Sequence, residues 1–209
     1  MPNWCNTSVG FYTTKDKKEE LTRLHDEIEK LETTPSAIEN DFGNWWLGNV
    51  WYHFMKTDPS FIRGARGLIY YISDVSDFDD TYISFEINTE TAWVFEDSFW
   101  EAILNMCFPN IEMSFIAEEC ACQYYEKRDN IGLFPDEYII DACINGDYLT
   151  EYVSCVEDIP AILKDHGYKK DFNLSLIKDG VFEANPDDDK EYGLSSEDDY
   201  ISIHKFEEV

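Results

Sequence analysis

"YISFEINTETAWVFEDSFWEAILNMCFPNIEMSFIAEE" (Tyr82–Glu119) reads as strand, helix, strand. Its first third mixes β-branched and aromatic residues with polar ones, the pattern of a half-buried strand. Ser98-x-x-Glu101 has capping-box form, and Trp100, Ile103, Leu104 and Cys107 then mark one helical face. Pro109 stops the helix, and the run from Ile111 to Glu119 returns to strand composition.

Upstream, "LIYYISD" (68–74) is a second β-rich run, separated from the first by an Asp-heavy turn, which predicts a hairpin. Further back, "KDKKEELTRLHDEIEKLE" (15–32) places Leu21, Leu24, Ile28 and Leu31 at helical spacing, with Thr13–Thr14 as cap and Pro35 beyond its end. His25 falls on this charged helix and is expected at the surface. "NTSVGFYT" (6–13) alternates as a strand. Residues 7–118 therefore run β-α-(insert)-β-β-α-β. That order predicts an α+β protein with a ferredoxin-like split βαββαβ antiparallel sheet and both helices on one face. "MPNWCNT" (1–7) is expected to anchor the first strand with Trp4 buried beneath it.

Three features surround this frame. Residues 35–66 form a Trp-rich, irregular insert, too long for an ordinary loop and expected to act as a lid or small subdomain. Residues 131–178 are expected to extend the same domain (1–130). They include a hairpin at Asn145-Gly146, a short helix in "VEDIPAILKDHG" (156–167) and a last strand in "FNLSLIK" (172–178). "QYYEKRD" (123–129) lengthens the sheet. Residues 179–209 carry 11 acids and 2 lysines and read as an acidic, partly mobile tail.

Two segments resemble the Api92-like (YubB) family. Asn3, Trp4, Cys5 and Asn6 match that family's start; Thr91-Ala92-Trp93 and Phe108-Pro109 match its second motif and the turn after it. The family usually continues Thr-Ala-Trp with Ser-Pro-Pro, where this chain has Val94-Phe95-Glu96. The likeness covers roughly residues 1–130. It implies a ferredoxin-like domain carried by phages or conjugative elements, and it brings no established activity.

Net charge is −28, with 19 acids and 8 bases in residues 1–104 and 25 and 8 in the remainder. Such a field repels nucleic acid, whose binding relies on Lys and Arg neutralising phosphates, and attracts basic partners. A merely acidic soluble protein accounts for the same composition. No signal peptide and no membrane-length apolar run is read, so a cytoplasmic protein that meets no membrane is expected, with its six cysteines free and buried.

Catalytic motifs are missing. Cys5 has no base at a telling distance in sequence, and Cys120-x-Cys122, with no matching second pair, reads as two thiols on one strand face. The acidic run Asp187–Asp198 has Tyr192 where an EF-hand needs glycine, and "GARG" (64–67) lacks the lysine of a phosphate loop. No cofactor or metal is expected. The function expected is that of a non-enzymatic acidic protein of a mobile element. It would bind a basic host protein as a nucleic-acid mimic and inhibit a defence nuclease. The alternative is a ligand-binding or enzymatic pocket at the insert, where Trp45, Trp46, Trp51, His53, Arg63 and Arg66 are the candidate binding residues.

Overall fold

The computed structural model describes residues 3–184, 192, 194 and 199–209. The protein is α+β, with four α-helices and two sheets defined among the described residues. The chain separates into two compact units, one running to Phe134 and including Glu208–Val209, the other spanning Pro135–Glu207. This differs from the expected single domain with an extension and a tail, because each unit closes its own apolar core.

In the first unit β1 (Trp4–Thr14), β2 (Gly67–Ile72), β3 (Ser76–Asp77), β4 (Tyr82–Ala92), β5 (Glu112–Glu119) and β6 (Tyr124–Arg128) form one sheet. Its central order is β6-β5-β1-β4-β2, with every neighbouring pair antiparallel. Helix α1 (Lys18–Thr33) lies between β1 and β2 in the chain, and α3 (Asp97–Cys107) between β4 and β5. Strand side chains alternate between faces. Cys5, Val9 and Phe11 of β1 therefore share one face with Ile83, Phe85 and Ile87 of β4 and with Met113, Phe115 and Ala117 of β5. Leu21, Leu24, Ile28 and Leu31 of α1, and Phe99, Trp100, Ile103 and Leu104 of α3, close over that face. Each such side chain, fully buried, contributes ~1.5–3 kcal/mol.

The same alternation corrects the expectation for Trp4. Cys5 takes the core position, so Trp4 must point to the opposite face, and it is 37% exposed. His25 is the reverse case. It sits between Leu24 and Ile28 on the apolar stripe of α1, is buried, and sets its ring edge-on to Phe85 at 5.2 Å, leaving Nδ1 3.1 Å from Asp26. Cys120 and Cys122 leave the strand in a 3₁₀ turn, closed by Gln123 at φ 53°, so strand alternation no longer applies and both are exposed. All six cysteines are free; Cys5 and Cys143 are buried, while Cys155 joins the exposed pair. The Ser98 capping box does not form: α3 starts at Asp97, with Glu96 at the cap position.

The insert is more ordered than its composition suggests. It contains α2 (Leu47–Met55), whose buried Asn49 accepts from Ser36 Oγ (2.7 Å) and donates to the carbonyls of Asn44 (3.1 Å) and Gly43 (3.3 Å). One amide thus ties two stretches of the loop, at Ser36 and at Gly43–Asn44, to the helix. On the face of the sheet away from the helices, the chain after β6 crosses Gly10. A Cβ there would lie 2.8 Å from Leu133 Cδ1, so any larger residue would need the Leu133 side chain to shift.

The second unit is a four-stranded sheet of order β8-β7-β10-β9, formed by β7 (Tyr138–Ile144), β8 (Asp147–Val153), β9 (Val181–Ala184) and β10 (Tyr200–Lys205). Asn145 and Gly146 join β7 to β8 with φ of 54° and 84°, the paired positive angles that a tight hairpin demands. Helix α4 (Ile159–Asp165) covers one face, packing Ile159 and Leu163 with Ile140, Ala142, Phe182, Ile201 and Ile203. Two expectations fail here. Residues 172–178 hold a 3₁₀ turn at Leu174–Leu176 in place of a strand, because Asn173 Oδ1 takes the Ser175 N–H (3.0 Å) and competes with strand pairing. Residues 179–209 are not simply a tail. Phe182, Ala184, Ile201 and Ile203 alternate with polar residues and supply two paired strands, a pattern masked by the acid count. Most of the acidic run Asp187–Asp198 lies outside the described residues. No described helix is long and apolar enough to cross a membrane.

Candidate functional site

The insert distributes its candidate residues rather than gathering them. Trp51 is buried against Phe99 (5.5 Å between rings) and donates Nε1–H to Thr57 Oγ1 at 2.9 Å. Trp45 donates to the Ile28 carbonyl at 3.0 Å and packs on the first core. Trp46 lies over Gly48, where a Cβ would stand 2.4 Å from its ring, and Phe42 stacks on it at 6.3 Å. Its Nε1 is buried with no hydrogen-bond partner, so packing alone holds the ring. His53 meets Glu27 Oε2 at 2.8 Å and lines a recess of about 130 Å³ with Tyr52, Lys56 and the residues that follow α1. That is well below the ~300–1,000 Å³ of ordinary ligand sites. Arg63 is exposed, 3.8 Å from Glu96, and Arg66 is exposed as well; neither lines the recess. Of the six predicted binding residues, only His53 does.

A second region is organised by strand register. On the face of the first sheet opposite the helices, Asn6 lies between Glu90 and Glu118, Ser8 between Asn88 and Ile116, and Gly10 between Glu86 and Ser114. Same-face neighbours along a strand are ~6.7 Å apart, so Glu86 and Glu90 stand two such steps apart on β4 with Asn88 between them, while buried Glu118 lies across Asn6 from Glu90. The Asn88 amide nitrogen, turned toward acceptors, donates to Glu86 Oε1 (2.9 Å) and to Ser8 Oγ (3.1 Å). Tyr70, half exposed on the edge strand, has its hydroxyl pKa raised, first by burial and then by the field of Glu90, Glu118 and Glu86. Burial also pushes the Glu86 carboxyl above 4.5, although a hydrogen bond with Ser8 opposes the shift.

Glu86 is therefore ionised at a cost in the folded protein. Its folded pKa exceeds its unfolded one, so the native state holds the proton more tightly and stability falls as pH rises through the window just above 4.5. Glu86→Gln is expected to raise the melting temperature at pH 7, and the gain should vanish below pH 4.5. A gain over the parent protein no larger at pH 7 than at pH 4 would refute this.

Several of the few bases are spent internally. Arg128 forks to Asp97 (3.1 Å) and Glu101 (2.9 Å), Lys15 pairs with Asp77 (3.0 Å), and Arg23 bonds the Cys107 carbonyl (3.0 Å). Nucleophiles are muted. Burial raises the Cys5 thiol to about 11, and Glu119 and Glu157 raise Cys122 and Cys155. His25, Asp26 and Glu29 of α1 bring ligand atoms within 4.8 Å of one another, the one such metal-competent group among the described residues. Comparison with family models, curated proteins and solved structures finds no match.

Proposed function

We propose that this is a non-enzymatic acidic binding protein that occupies a basic, nucleic-acid-binding surface of another protein. The observation that carries the reading is the half-buried pair Glu86 and Glu90 on one sheet face, with buried Glu118 adding to their field, set in a chain of net charge −28. Carboxylates fixed at strand spacing present a rigid anionic lattice to Lys and Arg, with attraction that salt screens. A ferredoxin-like reading of the frame that holds them is supported by the strand order β5-β1-β4-β2, with α1 and α2 in the first crossover and α3 in the second. The likeness to Api92-like proteins supplies a setting, the cytoplasm of a cell invaded by a mobile element. A defence nuclease is the partner that such a mimic would inhibit.

The test is a DNA-binding competition against a panel of purified restriction and CRISPR nucleases. At least one nuclease is expected to lose labelled duplex as the protein is added, less so at high salt, with Glu86→Lys/Glu90→Lys weakening the effect. No nuclease losing DNA, or displacement indifferent to salt, would sink the proposal.

A further inference from the structure

The acids end beside a group of aromatic residues of which Trp4, Phe42 and Trp93 are exposed and Trp46 is half-buried. Trp4, at the start of β1, shares the face of Asn6 and meets the edge of Phe42 at 6.4 Å. Phe42 in turn stacks on Trp46, with rings 18° apart. Trp46 bridges Leu68, and Leu68 lies opposite Glu90, so the backbone row Trp46-Leu68-Glu90-Asn6 runs straight from the aromatics into the acids. Trp93 joins them: it is 45% exposed and its N–H donates to the Asn3 carbonyl at 2.9 Å.

Trp93 holds φ at 76°, a left-handed conformation that bulky side chains avoid. Its neighbours enforce it, with Thr91 Oγ1 donating to the Val94 carbonyl (2.9 Å) and Val94 N–H to that of Ala92 (3.1 Å). Strain maintained to keep an indole in solvent is a cost without a return in the core, since Trp93 is not a core residue. The same end of the sheet leaves Trp4, Phe42 and Val94 more than a third exposed.

We infer that Trp4, Phe42, Trp46 and Trp93, with Glu90 beside them, form a docking surface for an arginine-bearing segment of a partner protein. A guanidinium stacks on an indole face while its N–H fork meets a carboxylate, so an aromatic shelf bordering acids suits arginine better than any uncharged residue. Nucleic acid would also stack on exposed rings, but the carboxylates oppose its phosphates. This inference rests on the acidic-binding reading above and assigns it a place and a side-chain chemistry.

The experiment uses the whole chain and a fluorescein-labelled nona-arginine peptide, read by anisotropy at low salt, with a nona-citrulline peptide as uncharged control. The arginine peptide alone is expected to bind. Trp4→Ala and Phe42→Ala should each weaken it about tenfold and Glu90→Gln about threefold, while Phe61→Ala, 94% exposed elsewhere, leaves it unchanged. Circular dichroism confirms that each variant folds; Phe42, in a loop, is the safeguard should Trp4→Ala disturb β1. Equal binding by all variants overturns the surface while leaving the nuclease competition standing. No binding of the arginine peptide, or Trp4-dependent binding of oligo-dT instead, overturns it as well. A negative nuclease panel with this pattern intact would remove the mimic reading and keep the surface.

Discussion

Trp100→Ala is expected to destabilise the first unit by about 3–5 kcal/mol, the cost of emptying a buried aromatic site. Trp100 is 1% exposed and contacts the rings of Phe11 and Phe99, each 5.1 Å away. Phe11 also meets Phe85, so this indole joins α3 to two central strands at once. Collapse of neighbours into the void is limited, because the strands are fixed by pairing on both sides. Urea unfolding is the measurement, followed by a probe of each unit, since two compact units need not unfold together. A midpoint unchanged for the first unit would mean that Trp100 is not the keystone that its contacts describe.

That keystone was readable because helical spacing around Trp100 is unambiguous and Pro109 ends the run. The same holds for α1, whose Leu21, Leu24, Ile28 and Leu31 are all buried. Strand existence was legible too; strand faces were not always. Trp4 beside Cys5 offers two apolar neighbours, and period 2 admits only one of them to the core. Nothing in the local sequence ranks a tryptophan below a cysteine for that place. The tertiary register with Thr91 and Ala92 decides it.

The candidate site was legible only in part, for a related reason. Clustered aromatics in the insert mark importance, but sequence proximity does not give direction. Trp45 and Trp51 turn inward, whereas Trp46 turns toward Phe42 and the sheet edge. Glu90 meets Asn6, and Glu86 meets Gly10, only through the pairing of β1 with β4, a contact that spans most of the first unit. Their alternation with Ile87 and Thr89 signalled an outward face without naming its neighbours. The acid count at the C-terminus misled in the opposite direction, since charge composition does not register that every second residue of Tyr200–Lys205 is apolar or buried.

Asp129→Ala is expected to cost about 2–3 kcal/mol, as expected when charge-assisted hydrogen bonds to one carboxylate are lost together and non-additively. Asp129 Oδ1 accepts from the N–H groups of Gly132 and Leu133, each at 3.0 Å, and Oδ2 from Phe134 at 2.7 Å. One side chain thereby curls residues 129–134 so that Leu133 and Phe134 pass over Gly10. Phe134 is buried there, and without the carboxylate its backbone would have to find water or another acceptor. Asp129→Asn keeps one acceptor oxygen and should lose roughly half as much. Hydrogen exchange separates this local role from general destabilisation. The amides of Gly132, Leu133 and Phe134 should lose protection in Asp129→Ala by far more than those of Phe11 or Phe85. If protection falls equally across the sheet, the carboxylate acts on the whole unit and not on the crossing of residues 129–134 over Gly10.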